Sequence, residues 1–180
     1  MKVIDTRLPG VLIIEPRAHG DERGFFLETF REERYAQEIG ITLSFVQDNH
    51  SRSRHGVLRG LHAQRRHPQG KLVRVARGEV FDVAVDIDPA SATFGQWASA
   101  MLSDSNHRQL WIPPGYAHGF LVLSEVADFE YKCTDYYRQD DEIGIIWNDP
   151  DIGIQWPMDN PTVSAKDSSL PPLSKLQAEA

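Results

Sequence analysis

One cysteine, Cys133, stands in 180 residues, so no disulfide can form within the chain, as suits a reducing compartment. No apolar run approaches the roughly 18 residues of a membrane span, and Met1 to Pro9 alternates charged with apolar residues instead of forming a signal-peptide core. The expectation is a soluble, cytoplasmic protein with no membrane partner. A formal net charge of −7 gives no whole-chain basis for binding nucleic acid. With 41% hydrophobic residues the chain can bury one substantial core, and a single domain over 1–180 is expected.

Another absence is local. Between Asn49 and Gly78 there is no aspartate or glutamate, yet eight of the 19 Lys and Arg residues and four of the seven histidines fall there. Such a stretch is either a solvated basic face or one side of a pocket for a phosphorylated small molecule.

The chain reads mainly as short strands. Phe81, Val83, Val85 and Ile87 alternate with Asp82, Ala84 and Asp86, which places the bulky groups on one face of a sheet. Leu72 to Ala76 precedes them across Arg77-Gly78-Glu79, so the two runs are expected to form a hairpin. Further strands are expected at Val11–Glu15, Phe25–Thr29, Phe45–Asn49, Val57–Gln64, Gln96–Leu102, Gln109–Ile112, Gly119–Leu123, Asp128–Thr134 and Gly144–Trp147. One helix is convincing: Thr29 to Glu32 has capping-box spacing, Tyr35, Ala36 and Ile39 form an apolar stripe, and Gly40 can close the end. From about residue 148 the chain is rich in Pro, Asp and Ser, which predicts an irregular tail packed over the sheets. Strands this short, punctuated by Gly and Pro, favour a β-sandwich or barrel.

Gly56-Val-Leu-Arg-Gly-Leu-His62 and Pro113-Pro-Gly-Tyr-Ala-His118 resemble the two motifs of cupins, double-stranded β-helix (jelly-roll) proteins. A metal-binding cupin would carry a second histidine where Gln64 stands and a carboxylate near His67 and Pro68. Two histidines and a glutamine are a poor donor set, so no metal is expected. What remains is a pocket with imidazoles, and alternation puts His118 with Phe120 on one face and Phe129, Tyr131 and Cys133 on one face of another strand. A histidine and a tyrosine facing one cavity offer two proton-transfer groups. A core histidine and a buried tyrosine with a satisfied hydroxyl are the plainer alternatives.

Phe45-Val-Gln-Asp-Asn-His-Ser51, the His62 motif, Gln69-Gly-Lys-Leu-Val-Arg74, Gly78-Glu-Val-Phe-Asp-Val-Ala-Val-Asp86, Trp111 to Phe120 and Val163-Ser-Ala-Lys-Asp167 together resemble the dTDP-4-dehydrorhamnose 3,5-epimerase family, in the same order along nearly the whole chain. The resemblance implies epimerisation at C3 and C5 of a dTDP-4-keto-6-deoxy sugar, without a cofactor, by a homodimer. By the same resemblance His62 is the base, Lys71 stabilises the enolate, Tyr131 reprotonates from the far side, and Asp167 partners the base. Carried over as substrate-binding residues are Arg23, Glu28, Gln47, Asn49, Arg59, His118, Glu142 and Lys166, with Arg59 and Lys166 facing the diphosphate. Strict alternation sets Arg59 and His62 on opposite faces, so both reach one site only if Gly60 bulges the strand or a second subunit helps. The residues also suit a single-position epimerase or ketoisomerase, or a non-catalytic cupin that binds a sugar nucleotide; a metal-dependent oxygenase is disfavoured by Gln64.

Overall fold

The computed structural model describes residues 1–178. Its strands are β1 (Lys2–Asp5), β2 (Leu12–Glu15), β3 (Ala18–Asp21), β4 (Gly24–Leu27), β5 (Gln47–Arg54), β6 (Leu58–Gln64), β7 (Lys71–Arg77), β8 (Glu79–Asp86), β9 (Trp97–Ser103), β10 (Gln109–Ile112), β11 (Tyr116–Val122), β12 (Val126–Cys133) and β13 (Glu142–Gly144). Helices α1 (Glu32–Ile39) and α2 (Leu173–Ala178) flank them. A six-stranded antiparallel sheet in the order β1-β2-β10-β7-β12-β5 faces a five-stranded one in the order β13-β6-β11-β8-β9, and β3 and β4 form a separate hairpin. This is the mainly β, cupin-type jelly roll that the two motifs imply.

Period-two alternation assigns each strand its inward and outward residues. Val73, Val75, Leu110, Ile112 and Phe129 of the larger sheet meet Val80, Ala84, Leu102, Phe120 and Val122 of the smaller in the intersheet core. The bulky stripe of β8 points the other way: Val83 and Val85, with Phe81 and Ile87 at their edge, pack outside the smaller sheet against Ile145, Ile152 and Leu173. The tail beyond β13 therefore covers a second apolar face, and Asp82 and Asp86, the polar half of the pattern, are buried between the sheets. On the outside of the larger sheet, Tyr35 and Ile41 close over Ile14, Leu72 and Trp111.

Several local expectations are corrected. Strands β7 and β8 are not a hairpin, because Gly78, at φ 84°, carries the chain from one sheet to the other. Helix α1 starts at Glu32 behind Arg31 with no side-chain cap. Thr29 lends its backbone carbonyl instead, to the Tyr35 hydroxyl at 3.0 Å and to Gln109 Nε2 at 2.7 Å. Gly40 does close the helix, at φ 74°. The strand expected at Gly144–Trp147 lies earlier, at Glu142–Gly144, where it pairs with β6. The tail is not wholly irregular, since it ends in α2, whose Leu173 N–H is anchored by Asp149 Oδ2 at 2.7 Å.

Strand β6 contains the feature that shapes the site. Opposite β11 its register shifts: His118 pairs with His62, but Phe120 pairs with Arg59, so β6 has one residue more than its partner. The extra residue is accommodated at Gly60, at φ 128°, and the Gly60–Leu61 peptide is cis. Before the bulge Val57 and Arg59 turn inward; after it Leu61 and Ala63 turn outward and His62 inward. A Cβ on Gly60 would lie 2.6 Å from Gly119 Cα and 2.9 Å from the His118 carbonyl, backbone atoms that cannot step aside. Gly60→Ala should lower stability by about 2–3 kcal/mol, roughly 5–10 °C in thermal midpoint for a domain of this size. Gly40→Ala, with left-handed backbone but open space around it, should cost only about 1 kcal/mol. Equal losses in thermal denaturation of the two variants would show that close packing at Gly60 is not the constraint.

Candidate active site

Two adjoining cavities, of about 250 and 520 Å³, open between the sheets beyond the apolar core. His62, Lys71 and Tyr131 line both. Gln47, Asn49, Cys133, Tyr137 and Glu142 are among the others lining the smaller, and Arg59, His118, Lys166 and Asp167 belong to the larger. His62 comes from β6 of one sheet, and Lys71 and Tyr131 from β7 and β12 of the other, so the cavity has an imidazole on one wall and a phenol on the facing one.

Of the residues proposed from the sequence, all but Arg23 and Glu28 come together here. Arg23, on the β3–β4 hairpin, is paired with Asp21 and has 85% of its side chain exposed. Glu28 faces Arg34 at 2.8 Å, an ion pair without hydrogen-bond alignment. Neither lines the cavity of its own chain.

His62 Nε2 lies 2.8 Å from Asp167 Oδ1, and Asp167 Oδ2 accepts the Gly60 N–H at 3.2 Å. Burial alone would raise the Asp167 carboxyl, but the hydrogen bond and charge of His62 and the Gly60 N–H outweigh it and hold it below the usual carboxylate range. Facing a carboxylate, Nε2 carries the ring proton and Nδ1 keeps the lone pair. The bulge thus turns His62 inward and also helps hold the anion that orients it.

Lys71 is 8% exposed, with Nζ 3.4 Å from the His62 carbonyl. Burial pushes its ammonium pKa down, opposed by Cys133, Asp82 and Glu142. Burial also raises the Tyr131 hydroxyl, which keeps it protonated at neutral pH. His118 Nε2 sits 3.0 Å from both oxygens of Asp82, which is fully buried. Burial pushes that carboxyl up while His118 and Lys71 pull it down. Asp82 and Tyr137 were missed from the sequence. Asp82 lies on the side of its strand opposite the apolar stripe, where alternation reads it as solvent-facing, and Tyr137 is one of two adjacent tyrosines in a loop, so neither gave a sign.

At the rim, Glu142 Oε2 accepts the Tyr137 hydroxyl at 2.7 Å and pairs with Lys166. Arg59 Nε donates to Ser53 Oγ at 3.0 Å. Gln64, standing where a metal-binding cupin would place histidine, is spent on backbone: Nε2 donates to the carbonyls of His67 and Tyr136, and Oε1 accepts the Arg138 N–H at 2.6 Å. Among the described residues no cluster of three His, Cys, Asp or Glu has the geometry of a metal site.

The family model described as dTDP-4-dehydrorhamnose 3,5-epimerase matches residues 5–175. The chain is 56% identical over 177 residues to the dTDP-4-dehydrorhamnose 3,5-epimerase of Salmonella typhimurium, covering 97% of each. It is 53% identical to that of Escherichia coli, covering 98% of this chain and 96% of the other. Among solved structures it is similar to a dTDP-6-deoxy-D-glucose-3,5-epimerase from Legionella pneumophila in complex with dTDP-4-keto-L-rhamnose, with TM-score 0.96 and 54% identity over 99% of this chain and 95% of that one.

Beside Glu142, Asp141 ties the loop after β6 to β13, accepting the backbone N–H groups of Arg66 and His67 at 3.0 and 2.8 Å. Burial would raise this carboxyl, but those bonds and the Arg66 side chain win and hold it well below the usual range. A carboxyl depressed on folding stabilises above its unfolded value of about 3.9 and ceases to as pH falls through the folded one. The thermal midpoint of Asp141→Asn should therefore lie below wild type at neutral pH, with the gap shrinking below about pH 4. An unchanged gap down to about pH 2 would mean that the loop does not depend on the carboxylate charge.

Proposed function

The chain belongs to the dTDP-4-dehydrorhamnose 3,5-epimerase family, and from that premise we propose that it inverts C3 and C5 of dTDP-4-keto-6-deoxy-D-glucose, yielding dTDP-4-keto-L-rhamnose. One observation supports the chemistry above all: a carboxylate-oriented histidine and a protonated tyrosine line the same cavity from facing sheets, with a buried lysine between the strands that bear them.

Each inverted carbon neighbours the C4 ketone. His62 Nδ1 takes the proton, and the C–H electron pair moves into the C3–C4 or C5–C4 bond while the carbonyl electrons shift to O4, giving an enolate. Lys71 stands to that oxygen as a fixed cation. Burial makes its charge costly, Asp82 and Glu142 offset part of that cost, and the developing enolate adds a further negative charge beside it, an interaction weighted toward the transition state. The enolate then collapses, drawing the Tyr131 proton to the opposite face of the same carbon. Proton exchange with solvent returns His62 and Tyr131 to their starting states. Asp167 keeps the imidazole in the useful tautomer and steadies the imidazolium that forms.

Arg59 and Lys166, which line the larger cavity with His118, suit the diphosphate, and Gln47, Asn49 and Glu142 line the smaller one. By the same family reading the enzyme is a cytoplasmic homodimer supplying activated L-rhamnose for cell-surface polysaccharide. The β3–β4 hairpin supports the dimer. It presents Phe25 and Phe26, 62% and 70% exposed, next to Arg23, a combination suited to covering a partner's site; Glu28 follows directly on β4.

Proton NMR in deuterated water should show deuterium entering C3 and C5 of the substrate with inversion. Exchange at one carbon alone would mean a mono-epimerase or ketoisomerase, and none would mean a sugar-nucleotide-binding protein. Tyr131→Phe should lower kcat by about 10²–10⁴-fold while dTDP binding persists; undiminished turnover would remove Tyr131 from the mechanism. Arg23→Ala and His62→Ala chains, each poorly active alone, should regain about a quarter of wild-type activity when mixed and allowed to exchange, because a shared site leaves one intact copy in each mixed dimer. Failure to complement would return Arg23 to its own chain.

A further inference from the structure

Strand β12 ends at Cys133, and the loop that follows brings Tyr137 to the smaller cavity before β13 begins. Tyr136 and Tyr137 are 58% and 50% exposed, so the loop has no large apolar side chain anchored in the core. Among the described residues, no backbone-to-backbone hydrogen bond joins residues 135–138 to either sheet, although backbone polar groups need partners wherever water is scarce.

Three glutamines take the place of a neighbouring strand. Gln69 Nε2 donates to the Asp135 carbonyl at 2.7 Å, and Gln64 Nε2 donates to the Tyr136 carbonyl at 3.2 Å. Gln47 Oε1 accepts the Tyr137 N–H at 2.9 Å, and Gln64 Oε1 accepts the Arg138 N–H at 2.6 Å. Four successive residues are thus held by amide side chains from β5, β6 and the segment between β6 and β7, and all three glutamines line the smaller cavity. Gln64 does the most. It is buried, it bonds on both sides of Tyr137, and a further bond from Nε2 to the His67 carbonyl at 2.7 Å fixes its amide. Turning that amide over would set its oxygen against two carbonyls and its NH₂ against an N–H, so only an amide in this orientation satisfies the loop.

The loop in turn sets the rim. The Tyr137 hydroxyl donates to Glu142 Oε2, the oxygen that pairs with Lys166. His62, Lys71 and Tyr131, by contrast, stand on paired strands of the two sheets.

We propose that Gln64 is a positioning residue of this enzyme, the centre of a glutamine clamp that docks residues 135–138 so that Tyr137 and Glu142 meet the substrate at the rim. The inference rests on the nucleotide-sugar reading above. It gives the position where a metal-binding cupin would place histidine a different task, that of holding a substrate-facing loop.

Gln64→Met, which keeps much of the side-chain volume and removes its bonds, tests the clamp. KM should rise about 10-fold while kcat stays within about threefold of wild type, because the groups that move protons are not on the loop. Gln64→Glu keeps an acceptor for the Arg138 N–H but faces two carbonyls without a donor, and should do no better. Amide hydrogen exchange in Gln64→Met should quicken at Tyr137 and Arg138 and stay slow in β6 and β12, which separates a freed loop from a loosened fold. A wild-type KM in Gln64→Met, a loss confined to kcat, or faster exchange throughout both sheets would overturn the assignment of Gln64 alone. Should that variant fail to fold, Gln69→Met, which removes one bond of the clamp, decides in its place: KM should rise by less, and an unchanged KM would overturn the clamp. Wild-type protein that binds no dTDP and turns over no substrate would overturn the proposed function and this inference with it.

Discussion

The site depends on one extra residue in β6. In an uninterrupted strand residues three apart face opposite ways, and Arg59 and His62 could not share a wall. The bulge at Gly60 changes the phase between them, so the anion-binding guanidinium and the imidazole both point between the sheets. It also leaves the Gly60 N–H directed at Asp167 Oδ2, which links the strand irregularity to the charge that sets the histidine's tautomer. The glycine opposite, Gly119, allows the close approach. Geometry, charge and protonation state at this site thus share a single origin.

Around that bulge the fold divides its interior by polarity. One end of the space between the sheets is filled by stacked aromatic and aliphatic residues, with Phe120 and Phe129 at 4.0 Å between ring centroids. The other end is lined by titratable groups. His118 stands at the border, stacked on Phe129 and bonded to Asp82. A buried lysine and a buried aspartate are costly where water is scarce, and their cost is limited because each lies near opposite charge. Apolar area given up at this end is regained outside the smaller sheet, where the tail packs on the outward face of β8.

Those divisions explain what could be read in advance. Strands with one apolar face, such as β8, β11 and β12, announced themselves by alternation, and the same alternation left two ways for Arg59 and His62 to share a site, a bulge at Gly60 or a second subunit, of which the structure shows the bulge. Strand β5 was half seen, because beyond Asn49 its inward residues are polar for the site and its outward ones are charged, leaving no hydrophobic rhythm. The three residues of β13 owe their conformation to pairing with β6, and so carry no local signature. Gly78 looked like a hairpin turn because turn chemistry does not say which sheet the next strand joins. Asp82 was hidden by the tail: only when residues near 152 and 173 cover the outside of β8 does its polar side become interior. The binding residues carried over by resemblance fall together except Arg23 and Glu28, whose hairpin has no contact with the cavity of its own chain.

Asp167 lies beyond the last strand of either sheet, 105 residues after the histidine it orients. During synthesis every strand of the scaffold, along with His62, Lys71 and Tyr131, is therefore made before the carboxylate. Until Asp167 reaches its place, the imidazole lacks the carboxylate that fixes its tautomer. Catalytic competence is thus among the last properties the chain acquires, and it arrives with the segment that also seals the outer apolar face.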